Sequence, residues 1–593
     1  MIRRWLNECT ASLRIARRFG FALRPHGWSF VLIALLMFAG IALELAKPWP
    51  IQWILDEGLI GTPRSGWTRE GIVLWGALLA LGLVLLDALF DYGAAIWTAQ
   101  VSQSVARSLR LAVFDHLAHL APAFYARFKS GDLIVRLMGD VNLVRTMLVE
   151  ASAGILTRTL LIVMTATMMM LLDWQLTLIV LGIVPVALLA TLLIARSLQI
   201  ATRKQRVKEG ELADSMHEAI HATQLIQSLG RSGEIVHRFA RDNRRTARAE
   251  LKSTRLSARL AVSIELVFGV STAAALLFGS QRVLAGSLSA GELMVFLAYV
   301  RSLLKPMRAT SKHTGRFAKG IASAERLLEV LNEPITVTSR PNAPAAPAAP
   351  RRLRFEGVRY AYGPRIEALR GFDAEYRAGE LVGLFGASGS GKSTVAALAV
   401  RLFDPDAGRV LLDDVPLSDW ELESLRERFG VALQDSVLFG ATLRDNLLLG
   451  KLDASDQQLL TALEEAGARA FVERLPQGLD TELGSQGSGL SGGERRRLCL
   501  ARTLLRRAPI LIVDEPFAGL DKPAVDRLCH TLAERARDAI VIVVAHDLDH
   551  LERFDRIDFL SQGVLHDSGT HGELVARNAL YRQVTRSVQA EGA

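Results

Sequence analysis

Long apolar runs fill the first half of the chain and short ones the second, with a proline-rich stretch between them. A transmembrane helix needs about 20 mostly apolar residues to cross about 30 Å of hydrocarbon. Six segments are candidates, near residues 28–46, 71–94, 153–172, 176–195, 260–283 and 291–304. The second is followed by 100–120, a helical pattern too polar to stay in lipid, and the fourth by the charged stretch 196–259. These two excursions fall on one side, and the connections after the second and fourth spans hold Arg107, Arg110, Arg127, Lys129, Arg136, Arg203, Lys204, Arg206 and Lys208. The opposite connections, 56–70, 173–175 and 284–290, are short and poor in lysine and arginine. An even number of spans and the positive-inside bias together predict that both termini are cytoplasmic.

Residues 1–27 interleave Arg3, Arg4, Arg14, Arg17, Arg18 and Arg24 with Trp5, Leu6, Leu13, Ile15 and Phe19, which suits an amphipathic segment at the membrane interface. No small-residue cleavage site follows a short apolar core, so a cleaved signal peptide is not expected. The membrane domain is expected over 28–331. Residues 332–352 carry Pro334, Pro341, Pro344, Pro347 and Pro350 among alanines without hydrophobic periodicity, the pattern of a semi-extended linker. From 353 to 593 short apolar strands alternate with helical segments. The unbroken runs 381–385, 510–513 and 540–544 predict strands buried on both faces of a mainly parallel sheet.

Composition supports this division. The 593 residues are too many for one core, and a mean hydropathy of +0.24 is high for a soluble protein. The net charge of +9 is explained by basic residues at the cytoplasmic ends of membrane helices, so no nucleic-acid partner is expected. Cys9, Cys499 and Cys529 are far apart and form no metal-ligand spacing or disulfide framework.

Charges inside apolar spans are costly and call for an explanation. Asp87 and Asp91, spaced i, i+4 on one face of the second span, Arg158 on the third and Glu265 on the fifth fall near the cytoplasmic leaflet by residue count. They are candidates for a polar substrate pathway. The structural alternative is that the two aspartates pair with Arg158 or reach the inner interface.

The chemistry is concentrated in the second half. Gly386-Ala-Ser-Gly-Ser-Gly-Lys-Ser-Thr394 reads G-x-x-x-x-G-K-S between the apolar run 381–385 and the helix-compatible 395–400. Gly386, Ala387, Ser388, Gly389, Ser390 and Gly391 leave backbone N–H groups open to phosphate, and the loop feeds a helix N-terminus that favours an anion. Lys392 would reach the outer phosphates of ATP, and Ser393 would ligate Mg²⁺, with Thr394 completing the loop. Ile510-Leu-Ile-Val-Asp514-Glu515 delivers two carboxylates at a strand's carboxyl end. Asp514 would hold Mg²⁺, and Glu515 would orient or deprotonate the attacking water. His546 follows the run 540–545, where it would meet the γ-phosphate.

Leu490-Ser-Gly-Gly-Glu494, set between these two motifs, resembles the signature sequence of ATP-binding cassette proteins. Ser491, Gly492 and Gly493 open a helix and so present an anion site, which in that family closes on the γ-phosphate held by the opposite subunit. The resemblance further implies that Tyr362 stacks on adenine, with Tyr360 as a possible substitute, and that Gln434 contacts Mg²⁺ and the lytic water. By the same likeness Asp521 crosses the dimer interface and His546 is the switch histidine. The first half resembles the six-helix exporter type, on Phe124-Tyr-Ala-Arg-Phe-Lys-Ser-Gly-Asp132 with Arg136 and Asp140, Gly286-Ser-Leu-Ser-Ala-Gly291, and Ile321-Ala-Ser-Ala-Glu-Arg326. It implies short coupling helices around 124–131 and 209–222.

The fold class that follows is a membrane all-α domain of six transmembrane helices fused to an α/β P-loop nucleotide-binding domain. One cassette and six spans imply a half-transporter in the bacterial inner membrane, working with a second copy of itself or with a homologous half-transporter. The activity implied is ATP-hydrolysis-driven export or flipping of a lipid, drug-like amphiphile or other hydrophobic compound. Peptide or polysaccharide-precursor export, a non-transport cassette ATPase and an ATP-gated channel are the alternatives. Three departures from the family pattern stand out: Glu494 where glutamine is common, Phe517 and Ala518 after the paired acids, and Ser485 where exporters usually place glutamate.

Overall fold

The computed structural model describes residues 15, 17–60, 67–128, 130–363, 366–432, 437–484, 487–517, 520–545 and 550–592. The chain divides into two units, Met1–Leu117 with Gly131–Asn332, and Ala118–Ser130 with Glu333–Ala593.

In the first unit, helices α1 (Gly27–Ala46), α2 (Arg69–His119), α3 (Ser152–Leu172), α4 (Trp174–His221), α5 (Ser232–Leu284) and α6 (Ala290–Leu331) each carry one of the predicted spans. Among the described residues, the helical stretches Gly20–Ile60, Arg69–His119, Ser130–Leu172 and Ser232–Leu284 are long and apolar enough to cross a membrane. Local chemistry sets the boundaries. Asp173 leaves the helical region between α3 and α4, and its Oδ1 accepts the Leu176 N–H at 2.9 Å, which satisfies one of the free donors of a helix start. Ser289 and Glu292 form a reciprocal capping box at the head of α6. Asp56 accepts from the Ser289 hydroxyl at 2.6 Å and the Gly291 N–H at 2.8 Å. The buried contact among the spans is made by Ile41, Leu45, Met169, Val180, Ala275, Phe296 and Tyr299. Gly279 permits α5 to approach α6, since a Cβ there would lie 2.4 Å from Leu293 Cδ1.

Two expectations shift. Helical structure does not stop at Ala46 but resumes as Trp49–Trp53 and the π-helical Ile54–Ile60. Pro48 and Pro50 are tolerated because they sit at the start of the new helix, where a missing N–H costs little. The segment around 124–131 holds a short helix, Pro122–Arg127. The second short helix lies at Thr223–Ser228 rather than within 209–222, because α4 continues unbroken to His221.

The second unit is built on two sheets. A four-stranded antiparallel sheet has the order β2 (Glu367–Arg377), β1 (Arg352–Ala361), β4 (Ala407–Leu412), β5 (Val415–Pro416). A six-stranded sheet runs β10 (Val564–Gly569), β9 (Arg556–Ser561), β3 (Leu381–Phe385), β8 (Ile540–Ala545), β7 (Ile510–Asp514), β6 (Phe429–Ala432), parallel except at the β9–β10 edge. Leu381, Phe385, Leu511, Val513, Val541 and Val543 pack on one face with Leu498, Leu504, Leu528 and Leu532. Val382, Leu384, Ile510, Ile512, Ile540, Ile542 and Val544 pack on the other with Val395, Leu398, Phe355 and Phe372. Because successive strand residues face opposite covered sides, the runs read as apolar throughout.

The proline-rich segment is stitched to this unit rather than hanging free. Glu421 N–H donates to Pro344 O at 2.9 Å, Ala346 N–H to Ser424 Oγ at 3.0 Å, and Leu422 N–H to Ser339 Oγ at 2.8 Å. Arg401 donates to Thr338 O at 3.1 Å, and Arg340 pairs with Asp419 at 2.5 Å. Val337 and Ala346 are buried.

Candidate ATP site

Strand register brings the motifs to one edge. Phe385, the last residue of β3, lies opposite Ala545 at the end of β8, and Asp514 at the end of β7 lies opposite Val544. The carboxyl end of a parallel sheet is where α/β folds bind ligands.

The loop after β3 turns at Gly386, where a Cβ would lie 2.2 Å from Leu560 O, and at Gly391, which has φ +108° and would clash with Ala368 O. No side chain fits either place. Ala387, Ser388 and Gly389 form an exposed lip. Helix α7 (Lys392–Ala399) begins immediately after. The Lys392 ammonium is buried and donates to Gly386 O at 2.7 Å and Ala387 O at 3.0 Å. Burial pulls its pKa below the ordinary lysine value, against the opposing pull of Asp514 and Glu515. Ser393 Oγ donates to Asp514 Oδ2 at 3.4 Å. Asp514 is buried, and its carboxyl is pushed up by desolvation and by Glu515, with Lys392 pulling the other way. Ser390 Oγ is buried without a hydrogen-bond partner among the described residues. An orphaned hydroxyl behind the exposed lip 387–389 is what a bound phosphate would satisfy. Glu515 holds φ +49°, a left-handed conformation rare for a residue with a side chain, and its N–H is fixed to Val544 O at 2.9 Å.

Of the two candidate aromatics, Tyr362 is 45% exposed and Tyr360 8%, so Tyr362 is the ring with a free face. Tyr362 touches Tyr360 and Phe403 edge-on, and its hydroxyl lies 3.3 Å from Thr394 Oγ1. Burial lifts the Tyr360 phenol to about 12.

The signature residues Ser491, Gly492, Gly493 and Glu494 sit at the head of α8 (Gly492–Leu505), after Leu490, with Ser491 and Gly492 exposed. Ser491 and Glu494 form a capping box. The S-x-x-E spacing is readable in the sequence as a helix start. Asp521 caps α9 (Lys522–Ala536), its Oδ1 accepting Ala524 N–H at 3.2 Å. Gln434, Ser485, Ala518 and His546 lie outside the described residues.

Among the membrane charges of the described residues, the pairing of Asp87 with Arg158 is not formed. Asp87 pairs with Lys47, not with Arg158. Gly40 of α1 lies beneath both aspartates, since a Cβ on it would be 3.6 Å from Asp91 Oδ1 and 3.9 Å from Asp87 Oδ1. Arg158 Nη1 is buried without a hydrogen-bond partner among the described residues, and Glu265 lies on an exposed side of α5.

Comparison with known proteins agrees with this layout. Residues 30–307 match the family model described as ABC transporter transmembrane region, and residues 369–518 the one described as ABC transporter. The chain is 32% identical over 566 residues to an ATP-dependent lipid A-core flippase of Chromobacterium violaceum, covering 94% of each. It is 27% identical to a putative multidrug export ATP-binding/permease protein of Bacillus subtilis, covering 96% of this chain and 98% of the other. A solved bacterial Atm1-family ABC exporter with ATP bound superposes with TM-score 0.78 at 27% identity, covering 95% of this chain and 98% of that one. The chain thus belongs to the ATP-binding cassette transporters, as an exporter half-transporter that couples ATP hydrolysis to transport and carries its membrane region and its ATPase in one polypeptide.

Proposed function

We propose that two copies of this chain form a pump in the bacterial inner membrane that flips or exports a lipid-like amphiphile, with both termini and the ATPase domain in the cytoplasm. The observation that carries the reading is the edge formed by Lys392, Ser393, Asp514 and Glu515, together with an exposed signature head at Ser491 and Gly492. Lys392 would bind the outer phosphates, the lip from Ala387 to Gly389 and the Ser390 hydroxyl would cradle them, and Glu515 would orient water. The Ser393 hydroxyl and the Asp514 carboxylate offer hard oxygen donors suited to Mg²⁺, which supplies charge neutralisation at the phosphates. Gln434 would add a third donor, and His546 a contact to the γ-phosphate. The signature of one copy would complete the site of the other, with Asp521 near that junction.

A lipid-like substrate is favoured by the relatives named as flippases. Asp87, Asp91, Arg158 and Glu265 would border the pathway. Reconstitution tests the reading: inside-out vesicles should move a labelled amphiphile inward on adding ATP and Mg²⁺, and not with Glu515→Gln. Transport without nucleotide, or steady ATPase with no substrate of any lipid or drug class stimulating it, would sink it.

A further inference from the structure

We infer that Glu494 sets the ATP concentration at which two copies of this chain close on nucleotide. The inference rests on the reading above, in which Ser491 of one copy meets the γ-phosphate held by the other. Glu494 Oε2 accepts both the Ser491 N–H and the Ser491 hydroxyl, each at 2.8 Å, while its own N–H donates to Ser491 Oγ at 3.3 Å. The same turn occurs elsewhere in this chain with an amide. Ser455 N–H donates to Gln458 Oε1 at 3.0 Å and Gln458 N–H to Ser455 Oγ at 3.4 Å. Glutamine therefore builds the cap without charge.

What the carboxylate adds is twofold. It engages the proton of the serine hydroxyl, the group that must turn to the phosphate, and it fixes a negative charge at the mouth where an anion arrives. Donation from the Ser491 N–H and hydroxyl holds the Glu494 carboxyl below its usual range, with Arg497 and Arg474 facing it, so it stays ionised at neutral pH. Those two guanidiniums lower the repulsion, and Arg497 is shared with the Phe471 ring at 5.5 Å. Closure on ATP must still take Ser491 from a charged acceptor and bring like charges together.

The test uses the full-length protein in vesicles carrying Glu515→Gln, with ATP retained after rapid gel filtration titrated against ATP concentration. Adding Glu494→Gln should lower the half-saturating ATP by about fivefold and weaken its dependence on salt. Glu494→Ala, which removes charge and cap together, should also tighten retention. Equal midpoints for glutamate and glutamine, or a change confined to the alanine variant, would overturn the inference and assign the residue to the cap alone. If Glu515→Gln by itself retains no ATP, the dimeric reading fails and this inference falls with it; a shift absent only on adding Glu494→Gln overturns the inference alone.

Discussion

The hydroxyl of Ser393 reaches Oδ2 of Asp514 at 3.4 Å across 121 positions of sequence, joining the first turn of α7 to the end of β7. Asp514 is 7% exposed, and its carboxyl is held above its usual range by burial and by Glu515. In the nucleotide-free protein the ionised aspartate therefore opposes folding. That penalty is absent at low pH and sets in as pH rises through the raised folded-state value. Asp514→Asn is expected to raise the thermal midpoint of the nucleotide-free protein near neutral pH by about 2 °C, with the gain fading on acidification. ATP hydrolysis should fall by about 100-fold. Scanning fluorimetry beside an ATPase assay reads both.

Glu515 combines a left-handed backbone with the carboxylate proposed to orient water. Glu515→Gln keeps the backbone and should retain ATP binding while losing about 100-fold or more in hydrolysis. Near-normal turnover in that variant removes Glu515 from the chemistry. Glu515→Gly should lose hydrolysis equally yet gain about 1 kcal/mol of stability, because glycine adopts positive φ without strain. A glycine variant no more stable than the glutamine one would show that the left-handed backbone at 515 carries no strain cost.

Lys392 is bonded to two carbonyls of its own loop, so ATP must draw the ammonium toward phosphate. Lys392→Ala should weaken ATP binding by about 100-fold without disturbing the sheet beneath, since Phe385 and Val395 are buried on other contacts. Binding of a fluorescent ATP analogue with far-ultraviolet circular dichroism as control decides it.

The Lys47–Asp87 pair joins α2 to the turn just past α1, with side chains 31% and 13% exposed. Asp87→Asn leaves an unpaired ammonium in poorly solvated surroundings and should cost about 1–2 kcal/mol, seen as a lower thermal midpoint in detergent. The exchange Lys47→Asp with Asp87→Lys should recover most of the loss. Substrate-stimulated ATPase that survives neutralising both Asp87 and Asp91 would leave the pair a purely structural one.

Legibility in the sequence followed the range over which each feature is determined. The loop 386–394 and the paired acids 514–515 announce themselves because strand, motif and helix are contiguous, and the sheet register then had to bring them together. The role of Lys47 is not legible in the sequence, because it follows a span and its partner is decided by how α1 packs over Gly40 against α2, which no local pattern encodes. The second short helix was misplaced by a few residues because helix length depends on where packing ceases to reward it, not on polarity alone. The proline and alanine content of 332–352 describes a spacer correctly as backbone and wrongly as behaviour. Its attachments come from Arg401 and 419–424, far along the chain.

Between Leu331, where α6 ends, and the buried Val337, only residues 332–336 remain, a reach of about 17 Å when fully drawn out. Beyond them the chain is fastened at 338, 339, 340, 344 and 346. The connection between the units therefore has little slack, and the residues beyond it are held by Arg401 and the segment 419–424. That segment feeds β6, and Gln434 follows two residues after β6 ends. An insertion at 334 would lengthen that connection while leaving the attachments at 338–346 untouched.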